Sequence, residues 1–465
     1  MLNDNLDLLK KYSTNLPRYT SFPTATALKE FSENDSILDL ITGVLQGLSS
    51  SQPISLYIHL PYCPQLCYFC ACNKIISSKT EDIDNYLSAL EREIDLIKNI
   101  LPLEIEIHEL HLGGGSPSYL SISQLEKLEL ILSKLNISKI CQKSIEIDPR
   151  TVDQEKLCFL YESSYKRFSL GVQDFDPTVQ ELINRIQSFE LTAKTAEVIR
   201  TLSGTSINFD LIYGLPGQTQ ASFHDTISSV LELRPNRLAL YGYAHVNWKV
   251  KVQNVLNKYG IPEDELRHTL FLTAAEKLIA AGYVHIGLDH FALPDDGLST
   301  AKNTKTLRRN FMGYTEMKSD TLMALGVSAI SDFGEYIFQN TANIEKFTQL
   351  LNAGMLPIQK YIKRNLADKI RAFIIETLMC NRILLFSQVL AKFPQTDVVD
   401  AILVAGKRNL EEYVKDELVG INSDHIIVFE QGTYFLRHIA ACFDNYLEKE
   451  RLNKERGTRQ LYSRT

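Results

Sequence analysis

The stretch CPQLCYFCACNK, residues 63–74, places four of the chain's eight cysteines within ten residues. Their spacing is Cys63-x3-Cys67-x2-Cys70-x-Cys72. Zinc sites usually pair two C-x2-C knuckles far apart in sequence, or mix in histidines at fixed intervals, and the sequence has no second knuckle. Three thiolates on one loop suit another group: they can hold three irons of a 4Fe-4S cluster and leave the fourth open to a ligand. Cys72 is then either the fourth ligand of a plain electron-transfer cluster or a spare thiol. A single residue between Cys70 and Cys72 makes ligation by both awkward, so the spacing favours three ligands and one spare. Cys141, Cys158, Cys380 and Cys442 are scattered and read as buried free thiols.

The loop follows a β-rich run, SLYIHL, and the same rhythm recurs up to residue 245 in IHELHLGGG, SIEIDP, RFSLGVQ, INFDLIYGL and RLALYGYAH. Between these runs lie segments with apolar residues three and four apart, such as IDNYLSALEREIDLIKNI, the period of an amphipathic helix. Six βα units in series predict an α/β fold with a parallel sheet and helices outside, either doubly wound or a partly closed barrel. In both, function sits at the C-terminal ends of the strands. There the sequence places the cysteine loop, Gly113 to Ser116, Glu146 and Asp148, Gln173 and Asp174, Asp210, and Tyr243 to His245. Past about residue 365 the pattern turns helical, then GINSDHIIVFEQGTYFLRHIAACF predicts a small hairpin wing and a last helix. The expected division is a segment 1–50, a barrel with its extension over 51–350, and a smaller, mostly helical domain over 351–465, whose tail from residue 448 reads as a solvated end.

A chain of 465 residues exceeds what one hydrophobic core usually organises, and 45% hydrophobic residues supply ample core material. With 49 basic and 56 acidic side chains the net charge is −7, which argues against broad contact with nucleic acid or anionic membrane. The first residues lack a secretory pattern and no long apolar stretch follows, so a cytoplasmic protein with small-molecule partners is expected. In a reducing compartment, clustered cysteines serve metal or redox chemistry more often than structural disulfides.

A Cys-x3-Cys-x2-Cys loop after the first strand of a βα series resembles the radical S-adenosylmethionine (SAM) superfamily. The resemblance implies a partial (β/α)6 TIM-like barrel, a cluster whose open iron takes the amino and carboxylate groups of SAM, and a 5′-deoxyadenosyl radical that abstracts hydrogen from carbon. It narrows through PRYTSFPTA (17–25), LYIHLPYCPQLCYFCACNK, HLGGGSPSYL, IEIDPR, SLGVQDF, NFDLIYGLPGQT, YAHV, DHFA and GVSAIS, which together resemble the oxygen-independent coproporphyrinogen III oxidase family from about residue 17 to 445. A related heme-chaperone branch shares the first three cysteines, whereas Cys72 and the PRYTSFPTA segment side with the oxidases.

By this resemblance Cys63, Cys67 and Cys70 hold the cluster, and Tyr57, Phe69, Gly114, Gly115, Ser116, Glu146, Gln173, Arg185, Asp210, Ala244 and Ile330 surround SAM. Cys72 is a candidate catalytic thiol near a second SAM molecule, and residues 1–50 cover the substrate. Four positions depart from the family pattern: Ala71, Ser116, Ile186 and Met312, the last replacing a polar residue beside the second SAM. The implied substrate is coproporphyrinogen III, two of whose propionates lose CO2 to become vinyl groups, with an external electron donor and acceptor and a monomeric enzyme. Its four carboxylates call for local positive charge, for which Arg18, Arg150 and Arg167 are candidates, with His59, His245 and His290 as hydrogen-bond donors. A heme carrier and a winged, DNA-binding cluster protein are the rival readings; the second lacks a basic face.

Overall fold

The computed structural model describes residues 2–31, 36–50, 52–317 and 319–447. Seven parallel strands form the centre of one twisted sheet. Six are β1 (Ile54–Leu60), β2 (Ile107–Gly114), β3 (Ile137–Ile147), β4 (Tyr165–Gln173), β5 (Ser206–Tyr213) and β6 (Arg237–Gly242). They pair in sequence order, as a series of βα units requires. After β7 (Val284–Gly287) and β8 (His290–Ala292), the chain returns to add β9 (Thr321–Leu325) parallel to β1 on its other side. That seventh strand, TLMAL, carries no βα signature of its own. Antiparallel β10 (Ile330–Asp332), β11 (Tyr336–Asn340) and β12 (Ile358–Lys363) extend this edge, while β8 and β7 extend the edge beyond β6. Among the described residues the two edges do not join, so the sheet is an open, partial barrel.

The strands form where the sequence offers apolar runs that can be covered on both sides. In β1 every residue but Tyr57 is buried. Helix α1 (Thr80–Lys98) buries Ile83, Tyr86, Leu87, Leu90, Ile94 and Ile97, which share one face at three- and four-residue spacing. The helices α2 (Ile122–Leu132), α3 (Gln154–Glu162), α4 (Phe189–Thr201), α5 (Gln220–Leu233) and α6 (Asp264–Ala280) follow β2 to β6 in turn. Ser121 and Thr219 start α2 and α5 with reciprocal capping boxes.

Strand β12 carries the main sheet to Lys363, so a division at residue 351 falls inside it; the pairing of Ile337 with Ile362 across β11 and β12 is a long-range contact that local patterning does not reveal. From α7 (Leu366–Asn381) onward the chain is helical apart from a three-stranded sheet of Ile383–Leu385, Val419–Ile421 and His425–Val428. The N-terminal segment crosses to this region. Tyr12 stacks on Tyr413 with ring centroids 4.5 Å apart, Arg437 donates to the Pro17 carbonyl at 3.0 Å, and Tyr19 donates to Asp444 at 2.9 Å. The proposed tail from 448 lies outside the described residues. No helix among them is long and apolar enough to cross a membrane.

Candidate active site

The loop from Pro61 to Lys74 leaves the C-terminal end of β1 and is pinned at several points by its backbone. Tyr68 N–H donates to the Ile183 carbonyl at 3.0 Å, and the Asn184 and Gln253 side-chain amides donate to the carbonyls of Leu66 and Phe69, both at 2.8 Å. Gln253 also donates to the Ala244 carbonyl at 3.1 Å, so one buried glutamine sets the spacing of two residues assigned to SAM. Cys67 is buried, Cys63 and Cys70 are half-buried, and Cys72 is exposed.

Two guanidiniums face Cys67. Arg185 Nη1 lies 3.7 Å and Arg150 Nη2 3.9 Å from its Sγ. Both are held by Asp148 Oδ2, at 3.2 and 2.7 Å. Burial would raise the Asp148 carboxyl, but Arg185 and Arg150 hold it below the usual range. Burial, with Cys70 and Cys67 nearby, pushes the Cys63 thiol up to about 12. A hydrogen bond from Cys72 brings Cys70 down to about 6 against the effect of burial, assisted by Lys74, whose ammonium donates to the Cys70 carbonyl at 2.7 Å. Cys72 therefore lies beside a ligand candidate, a relation that the spacing alone leaves open.

Opposite the loop, the Gly113–Gly115 run passes close to β1 and β3. A Cβ on Gly113 would lie 2.8 Å from Glu146 Oε1, and one on Gly114, at φ +114°, 2.5 Å from the His59 ring. Gly114 N–H donates to Glu146 Oε2 at 3.0 Å, and Ser116 N–H donates to the Tyr62 carbonyl at 2.9 Å. Burial lowers the pKa of His59, whose Nε2 lies 2.9 Å from the Asn73 carbonyl. A carbonyl only accepts, so Nε2 carries the proton and Nδ1 accepts from Tyr57 Oη at 3.1 Å. Asp210 accepts from Ser169 Oγ at 2.8 Å and Asn208 at 2.9 Å, and burial raises it to about 6. Gln173 takes a left-handed φ of 69° at the end of β4, and its amide and the Arg185 guanidinium both crowd Gly171.

A cavity inside the barrel is lined by Glu146, Asp210, Tyr241, His290, Met312 and Tyr314, among others. It joins Glu146 and Asp210 to the position of Met312 on the hairpin Arg308–Thr315. Ala244 and Ile330 are half-buried at opposite ends of the parallel sheet, after β6 and at the start of β10.

Several polar strand endings have other work. Asp174 is fully buried and accepts from Gln218 at 2.6 Å, Thr226 at 2.5 Å and the Asp176 amide at 2.9 Å, so it ties β4 to α5 rather than facing a ligand. Ile186 is 69% exposed. All three arginine candidates for substrate carboxylates have acidic partners: Arg150 with Asp148, Arg167 with Glu316, and Arg18 with Asp289. His245 pairs with Tyr243 Oη at 2.9 Å. Sequence reasoning missed Gln253, Asp289, Arg309 and Glu93, none of which stands in a strand-ending motif; the tandem arginines of RRNFMGY were the available signal for Arg309.

The residues present fit a cluster and SAM. Cys63, Cys67 and Cys70 lie on one anchored loop, the glycine run packs its backbone against Glu146, His59 and Pro61 where any side chain would clash, and the buried Arg185 Nε is unpartnered on this side. Among the described residues no trio of His, Cys, Asp or Glu is gathered around a single point. A cubane cluster sets its cysteine sulfurs at separate corners and needs no such convergence.

The radical SAM superfamily model matches residues 57–230. Over 460 residues the chain is 38% identical to the oxygen-independent coproporphyrinogen III oxidase of Pseudomonas aeruginosa, covering 98% of each, and over 448 residues it is 36% identical to that of Escherichia coli K12, covering 96% of each. The solved structure of coproporphyrinogen III oxidase (HemN) from Escherichia coli, described as a radical SAM enzyme, superposes with a TM-score of 0.88 at 35% identity, over 94% of this chain and 98% of that one. With the cysteine loop, the glycine run and the open barrel in the same chain, this protein belongs to the oxygen-independent coproporphyrinogen III oxidase family of radical SAM enzymes.

Proposed function

We propose that the chain oxidatively decarboxylates two propionates of coproporphyrinogen III to vinyl groups, giving protoporphyrinogen IX. The observation that carries this reading is the anchored loop of Cys63, Cys67 and Cys70 beside the Gly113–Gly115 run, which packs on Glu146 at the wall of the barrel cavity. When bound, the 4Fe-4S cluster and SAM supply the radical that removes hydrogen from the propionate β-carbon.

The protein's own residues bind, orient and shield. Arg150 and Arg185, positioned by Asp148, hold positive charge against the Cys67 sulfur, on the side where a ligand thiol meets the cluster. The glycine run presents backbone groups to the methionyl part of SAM. Glu146 and Asp210 accept hydrogen bonds from its amino and ribose groups, Arg185 and Gln173 close the same wall, and Tyr57, Phe69, Ala244 and Ile330 supply apolar edges for its adenine. Ser116, buried after the run, places its amide rather than its hydroxyl. Cys72, beside Cys70, serves the second SAM and the substrate, with Met312 offering a thioether instead of a polar contact. Each vinyl group formed consumes one SAM, releases one CO2, and hands one electron to an external acceptor. Residues 1–50 act as a cover, held to the C-terminal domain at Tyr12, Pro17 and Tyr19 and presenting Arg18 toward the cavity through its stack on Tyr241, 5.0 Å away. We place the enzyme in the cytoplasm as a monomer, with an external electron donor and no nucleic-acid partner.

The test is anaerobic: protein with reconstituted cluster, excess SAM, a strong reductant and coproporphyrinogen III, with the tetrapyrrole read by mass spectrometry. Conversion of two propionates to vinyls, with two 5′-deoxyadenosines per substrate, is expected. An unchanged substrate mass with an intact, reducible cluster overturns the reading in favour of heme binding.

A further inference from the structure

Resting on that reading, the geometry points to Arg309 as a residue that binds a substrate propionate directly. Every arginine near the cavity has an acidic partner except those around Asp289, where the basic charge is in excess. Asp289 is buried and held by Arg18 and by His290 Nδ1 at 2.7 Å. Two further guanidiniums stand beside it. Arg437, buried, donates only to the backbone carbonyls of Leu16 and Pro17. Arg309 is 8% exposed, reaches one protein acceptor, the Arg18 carbonyl at 3.4 Å, and buries Nε and Nη1 with no hydrogen-bond partner.

The neighbouring acids do not answer it. Glu376 is engaged by Arg308 through both oxygens, at 2.7 and 3.2 Å, and approaches Arg309 only at its backbone N–H. Asp320 also pairs with Arg308. A buried guanidinium with two idle donors is costly unless an anion completes it, and its planar fork matches a carboxylate bidentately. The position supplies the route. Arg309 stacks over Tyr314 at 4.6 Å; Tyr314 lines the barrel cavity, while Arg309 itself lines a second cavity formed by Tyr19 to Phe22 and Asp332. It therefore stands in the partition between them, where an arm of a macrocycle held in the barrel would reach it. The PRYTSFPTA segment closes this place, since Arg18 contributes both its charge and the carbonyl that orients Arg309. Burial and the Arg18 charge bring Arg437 down to about 10, consistent with a cationic surplus there.

The experiment is equilibrium binding of coproporphyrin III, and of its tetra-amide analogue, to the cluster-loaded protein by fluorescence titration, with Arg309→Leu and Arg309→Lys compared with wild type. For wild type the tetra-acid should bind at least tenfold more tightly than the amide. Arg309→Leu should lower tetra-acid affinity by about 10- to 100-fold and leave amide and SAM affinity within twofold, and Arg309→Lys should recover part of the loss. If Arg309→Lys, folded by its melting curve, and Arg309→Leu both bind the tetra-acid within twofold of wild type, the inference is overturned. Failure of wild type to bind coproporphyrin at all would overturn the functional reading, and this inference with it.

Discussion

The rim of the cysteine loop and the wall around Asp289 are both built from arginines, and they treat charge differently. At the rim, Arg150 and Arg185 share Asp148 and face the Cys67 sulfur, so each cation has an acidic partner within the protein before any ligand arrives. Around Asp289 one carboxylate serves Arg18 while Arg309 and Arg437 make no ion pair among the described residues. A closed set of charges positions a resident group; an unbalanced set awaits an exchanging one. The same residue type therefore carries opposite expectations for stability.

Breaking the closed set should produce the largest effect. Asp148→Asn would leave two largely buried guanidiniums without their shared partner, and removal of one member of a buried ion pair costs about 3–5 kcal/mol. Chemical denaturation should show a loss of that order, together with weaker iron incorporation. A loss under about 1 kcal/mol would mean that solvent or the thiols already balance these arginines. The matching change on the other side, Arg309→Leu, should leave the stability of substrate-free protein unchanged or raise it by about 1–2 kcal/mol, because an unpaired buried charge disappears. Denaturation without substrate checks this, and a clear destabilisation would show that Arg309 is structural and erase the contrast.

This contrast is also where sequence reading stopped. The barrel was legible because β-rich runs and amphipathic helices alternate locally, and the loop because its spacing carries the chemistry without any contact being known. The arginine at position 18 was singled out while Arg309 was passed over, since both are ordinary cations in a string; only the fold shows that Asp289, some 270 positions from Arg18 in the chain, answers one and not the other. The same holds for Asp174, whose place after a strand promised a ligand contact but whose three partners, Gln218 ahead of α5, Thr226 on α5 and the Asp176 amide, are fixed by packing. Strand β12 escaped for a related reason: an edge strand is defined by the neighbour it pairs with.

A pH profile sharpens the comparison within the SAM wall. Asp210 is raised to about 6 by burial, so its carboxylate protonates as pH falls through that value and its hydrogen-bond acceptance weakens. SAM affinity in wild type should fall by about tenfold between pH 7.5 and 5.0, worth about 1.4 kcal/mol. Asp210→Asn should bind weakly at all pH values with a flat profile over that interval. A slope unchanged by the substitution would assign the titration to another group.

The smallest expected effect concerns an acid that is closed in on itself, far from any guanidinium. Glu93 on α1 is buried and accepts from Gly326 N–H at 2.7 Å and Asn340 Nδ2 at 2.6 Å, which fixes the loop leading to Ile330. Burial raises its pKa from 4.5 to about 7, with those two donors opposing the rise. Because the folded protein holds this proton where the unfolded chain has released it, the contribution of Glu93 to stability declines as pH rises from about 4.5 to 7. Glu93→Gln cannot titrate and turns an amide donor toward one of the two existing donors, which costs about 1–2 kcal/mol. The variant should therefore be least stable relative to wild type near pH 5, and the gap should close or reverse by pH 8 as wild type becomes ionised. Paired denaturation curves at the two pH values measure this difference directly, and a gap that widens with pH would mean that the donors, rather than burial, dominate the Glu93 carboxyl.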